Sequence, residues 1–60
     1  MDITCEIFKK LPEGPIWVET VIGLEQIKER LANLNKTNPG EYFAYDILEA
    51  RIVAELPCDN

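Results

Sequence analysis

The sequence predicts an α+β domain of ββαββ order, an antiparallel sheet with one amphipathic helix lying across it. Three observations predict it: apolar residues alternate with period two before residue 22, they switch to helical spacing from residue 24, and two strand-like runs follow before residue 56. Sixty residues form a single domain, residues 1–60, with a thin core. Association with a second copy or another protein would therefore add useful burial.

Residues 3–10 alternate, with Ile3, Cys5 and Ile7 on one side and Thr4, Glu6 and Phe8 on the other. Pro12-Glu13-Gly14-Pro15 cannot continue a ladder, so the chain turns there. Ile16 to Ile22 is rich in β-branched residues and reads as the returning strand of a hairpin. Leu24, Ile27, Leu31 and Leu34 then recur at helical steps, while Glu25, Lys28, Glu29, Arg30 and Asn33 fill the opposite side. Glu25 in the first turn and Lys36 in the last suit the helix dipole, and Asn38-Pro39-Gly40 ends the helix.

Residues 41–56 admit two readings. Tyr42 to Tyr45 reads as strand, whereas Ile47 to Leu56 contains many good helix formers, and Asp46 with Glu49 has the spacing of a capping box. A C-terminal helix would make the order ββαβα. The preferred reading is a hairpin with Ile47 to Ala50 as its loop, because it sets Asp46 opposite Arg51 as an unlike-charge pair. It also gathers Phe43, Tyr45, Ile52 and Ala54 on one face.

Ile16-Trp17-Val18-Glu19 ahead of Leu24-Glu25, the charged Lys28-Glu29-Arg30-Leu31, Pro39-Gly40-Glu41-Tyr42-Phe43 and Arg51-Ile52-Val53-Ala54 together resemble a group of short bacterial proteins of unknown function. The likeness spans most of residues 3–56 and rests on packing and turn motifs. It implies a shared small fold and a bacterial cytosolic setting, with no catalytic residue and no ligand. Those proteins carry polar turn residues where this chain has Ile47 to Ala50.

Eleven acidic against six basic residues give a net charge of −5, which repels phosphate backbones and anionic membranes. The basic residues are scattered, with only Lys9 and Lys10 adjacent, so no stripe tracks a nucleic acid. No apolar run is long enough to span a bilayer, and Asp2 and Glu6 do not suit a signal peptide, so the expected setting is the cytoplasm. Asn35-Lys36-Thr37 is then a chance glycosylation match.

Enzyme activity is not expected. Histidine and serine are both absent, the carboxylates are dispersed, and a cysteine nucleophile would lack a histidine base. Gly14, Gly23 and Gly40 form no phosphate loop, and two cysteines cannot complete a zinc site. Neither cofactor nor metal nor small-molecule ligand is indicated. Cys5 reads as a buried structural thiol, with a disulfide to Cys58 the lesser alternative.

The side of the sheet away from the helix is more informative. If Ile3, Cys5, Ile7, Ile16, Val18, Thr20 and Ile22 face the helix, then Phe8, Trp17 and Val21 face outward, joined by Tyr42 and Val53. One reading is that long side chains such as Lys10 and Arg51 cover these residues singly. The sharper reading is a continuous apolar patch for protein contact, with Trp17 as anchor, serving a homodimer or another protein. An alternative function class is an acidic inhibitor or antitoxin-like regulator of a nucleic-acid-acting protein, which requires carboxylates in a phosphate-like row.

Overall fold

The computed structural model describes residues 2–56. Its elements are β1 (Thr4–Lys10), β2 (Ile16–Ile22), α1 (Leu24–Thr37), β3 (Glu41–Asp46) and β4 (Arg51–Leu56), which is the ββαββ order. They form one antiparallel sheet in the order β2-β1-β3-β4, so β1 and β3 are central and β2 and β4 are edges. Residues 51–56 are strand, and the ββαβα alternative is thereby excluded.

The β1–β2 turn closes through the Gly14 amide, which donates to the Leu11 carbonyl at 2.9 Å. Between β2 and α1, Gly23 adopts φ 95°, a conformation that disfavours any residue with a Cβ. Its amide donates to the Ile3 carbonyl at 2.7 Å, which ties the helix entry to the start of β1. At the other end, the Asn38 amide donates to the Leu34 carbonyl at 2.8 Å.

Ile27 and Leu31 of α1 are buried against Cys5, Ile7, Val21, Tyr42 and Ala44 of the sheet. Ala44 keeps the centre of the sheet low beneath the helix, while Tyr42 extends along it and donates its hydroxyl to the Asn38 carbonyl at 2.6 Å. Arg30 of α1 reaches the rim of β2, where it pairs with Glu19 at 2.8 Å.

The expected hairpin loop at Ile47 to Ala50 forms, with Asp46 paired in register with Arg51. The chemistry at Asp46 differs from a cross-strand ion pair. Its Oδ1 accepts the amides of Leu48 and Glu49 at 3.0 and 3.2 Å, so the carboxylate organises the loop from a buried position. Ala50 closes the loop at φ 54°, in the left-handed region.

Two bulges overturn the expected facing of Thr20, Val21, Ile22 and Val53. In β2, Cys5 pairs with Val21, Glu6 with Thr20 and Ile7 with Glu19, but Phe8 pairs with Trp17, leaving Val18 as the extra residue. The bulge inverts the alternation beyond it, so Val21 is buried while Thr20 and Ile22 lie outward. In β4, Ala44 pairs with Ala54 and Tyr45 with Ile52, leaving Val53 as the extra residue, and it packs against the core.

Candidate functional site

The outer side of the sheet is built in rows across the four strands. Trp17, Phe8, Phe43 and Glu55 form one row, and Thr20, Glu6, Tyr45 and Ile52 form the next, each neighbour being a register partner. Phe8 and Phe43 stack with centroids 5.3 Å apart and planes 17° from parallel. The Lys10 ammonium lies 5.9 Å from the Phe43 centroid.

Glu6 orders the middle of this surface. Its Oε1 accepts the Trp17 indole N–H at 2.6 Å and the Thr20 hydroxyl at 2.7 Å. The indole is thus held by its polar edge while the residue stays 59% exposed. The same two donors, Thr20 first and Trp17 second, hold the Glu6 carboxyl below the usual carboxylate range. A lowered folded-state value means that this contribution to stability is present above the unfolded value and is lost as pH falls through the folded one. In a carbon-detected NMR titration, the Glu6 midpoint is expected to lie below that of an exposed glutamate, and Thr20→Val and Trp17→Phe should each raise it. A midpoint that neither substitution moves would show that the shared acceptor is not formed in solution.

Of the five residues expected on this face, the structure places two there, Phe8 and Trp17. Val21 is buried under the helix because of the β2 bulge, and Val53 is turned inward by the bulge in β4. Tyr42 is only 2% exposed and also lies on the helix side. Its facing follows from β1: Cys5, Ile7 and Lys9 point toward the helix and are the partners of Asp46, Ala44 and Tyr42. Polar terms reinforce this choice, since burial of Asp46 places its carboxylate beneath the loop amides and burial of Tyr42 places its hydroxyl on the helix end. The apolar residues that complete the outer face are Phe43, Tyr45 and Ile52, with Ile22 at the end of β2. The loop-capping position of Asp46 was the signal for them, because it fixes the alternation of β3 from one end.

No protein-family model, curated protein or solved structure matches this chain.

The inner side offers little chemistry. Cys5 is fully buried, and burial first, then the charges of Asp46 and Glu6, push its thiol pKa up, which keeps it neutral and a poor nucleophile. Cys58 lies outside the described residues, as does any disulfide to it. Among the described residues no group of three potential ligands is placed to hold a metal ion, and no helix is long and apolar enough to cross a membrane. A shallow groove of about 500 Å³ runs along the seam of α1 and β4, lined mainly by Leu31, Val53, Ala54 and Leu56. Its charged lining residues are Lys28 and Glu55.

Proposed function

We propose that this chain is a non-enzymatic protein-interaction module whose binding surface is the outer sheet face, with Trp17 as its anchor. The observation that carries this reading is the aromatic and aliphatic row structure on the side that the helix leaves uncovered: Trp17, Phe8, Phe43, Tyr45 and Ile52 are contiguous there. A Trp held by a hydrogen bond at its edge loses little further freedom on docking, which favours it as an anchor.

The acidic-inhibitor reading needs a row of carboxylates on one surface. Instead Asp46 is buried under a loop, Glu19 pairs with Arg30, Glu25 and Glu29 lie on the helix, and the outer-face carboxylates Glu6, Glu41 and Glu55 are separated by Phe8, Phe43 and Tyr45. The interaction module is the better supported of the two.

Trp17→Glu places a charge within the proposed contact, at its β2 side, while leaving the buried side of the sheet unchanged. The variant is expected to keep its helical circular dichroism and to lose binding by more than about tenfold, whether to itself or to a captured protein. Glu25→Lys, on the exposed helix surface, should leave binding intact. Equal binding by Trp17→Glu and the unmodified chain would overturn the assignment of this face.

A further inference from the structure

We infer that the occupant of the outer face is a second copy of this chain, packed sheet on sheet about a two-fold axis that runs along the strands between β1 and β3. The inference rests on the proposed binding face and adds its partner and its geometry.

The edges are poor sites for association. Each edge strand is interrupted by a bulge, β2 at Val18 and β4 at Val53, and bulged edges resist the addition of a further strand. The open face is of adequate size. Four strands about 4.8 Å apart, each of six or seven residues at about 3.3 Å, span roughly 20 Å in each direction. With side-chain relief, that approaches the roughly 600 Å² per partner at the lower bound of stable interfaces.

The pattern on the face selects the partner. In the β1–β3 ladder, Lys10 is beside Glu41, Phe8 beside Phe43 and Glu6 beside Tyr45. A two-fold axis between these strands exchanges the two columns, so each residue meets the second copy's version of its own neighbour. Lys10 then faces Glu41 of the second copy and Glu41 faces its Lys10, which gives two unlike-charge contacts. The Phe8 and Phe43 rings meet at the centre.

Glu6 has one oxygen, Oε2, that takes no hydrogen bond from the described residues, and the Tyr45 hydroxyl likewise donates to none of them. The exchange brings that hydroxyl over the free oxygen of the second copy, which satisfies a carboxylate that the contact would otherwise desolvate. An axis across the strands midway along β1 would instead set Lys10 over Thr4, and one at the Phe8–Phe43 row would set Lys10 over Glu6 but leave Glu41 over Tyr45, so neither meets all of these complements. The chosen axis also allows the modest angle between strands that twisted sheets adopt when they pack face to face.

The test is sedimentation equilibrium on the full chain, with Lys10→Glu and Glu41→Lys prepared singly. The unmodified chain should sediment as a dimer, and each single variant should self-associate at least about tenfold more weakly, because like charges then meet. An equimolar mixture of the two variants should recover the dimer, since both unlike contacts re-form between different chains. That recovery cannot arise from an effect on folding. A monomeric mass for the unmodified chain at millimolar concentration would overturn the homodimer without touching binding of a different protein to this face. A dimer that survives both single substitutions, or a mixture that fails to recover, would overturn the two-fold arrangement. A dimer insensitive to Trp17→Glu as well would overturn the face itself.

Discussion

Leu31→Ala is expected to lower the stability of the domain by about 2–5 kcal/mol, the range for truncating a buried leucine in a site that cannot collapse. Leu31 is 2% exposed and, with Ile27, supplies the part of α1 that is buried in the core. It belongs to one buried cluster with Ile27, Tyr42 and Ala44, and close-packed neighbours on a sheet have little room to close a void. A small domain has few such residues, so this loss is a large share of its total stability. The measurement is the urea midpoint against the unmodified chain. An unchanged midpoint would mean that the helix packs through another stripe.

Tyr42→Ala should cost about 3–5 kcal/mol, as for other large aromatics removed from a core. Tyr42→Phe, which deletes only the hydroxyl that reaches Asn38, should cost about 0.5–1.5 kcal/mol. The pair separates volume from hydrogen bonding at one position. It also tests the facing of β3 directly. Were Tyr42 on the outer face and Phe43 beneath the helix, the larger loss would move to Phe43→Ala, and unfolding of both variants side by side decides between the two.

The elements were legible in the sequence because each is marked by a change of apolar period or by a turn residue. The switch from alternation to helical spacing at Gly23, the prolines at 12 and 15, and Asn38-Pro39-Gly40 all fall at observed boundaries. Pairing of Asp46 with Arg51 set the first two pairs of the last hairpin, but the bulge at Val53 shifts the register beyond them, so Phe43 pairs with Glu55 and Ala54 lies opposite Ala44 rather than on the face of Phe43, Tyr45 and Ile52. The facing of side chains was legible only in part. Alternation carried from Ile3 to Phe8 without interruption, so Cys5, Ile7 and Phe8 were placed correctly.

It failed within β2 and β4, because neither strand carries the glycine or proline that often marks a bulge. Val18 and Val53 are strong strand formers and give no local sign that they stand outside the pairing. In β3 both alternations are apolar enough to be buried, and hydrophobicity alone favours Phe43 and Tyr45 over Tyr42, Ala44 and Asp46. The decision is made by polar groups and by small volume, which a count of apolar residues does not weigh.

The two bulges also set how this chain can change length. Loss of a loop residue normally shortens a connection and little else, and strands tolerate a trimmed end. Deleting Val18 or Val53 is a different event, because each is the residue that offsets two regular stretches of the same strand. Its removal would bring the stretches back into phase and rotate one of them by half a turn about the strand axis. In β2 that would exchange Val21 for Thr20 and Ile22 beneath the helix or, if the far end yielded instead, carry Trp17 inward. A one-residue deletion is therefore expected to be tolerated in the turns and to unfold the domain when it falls between Trp17 and Val21 or between Ile52 and Ala54.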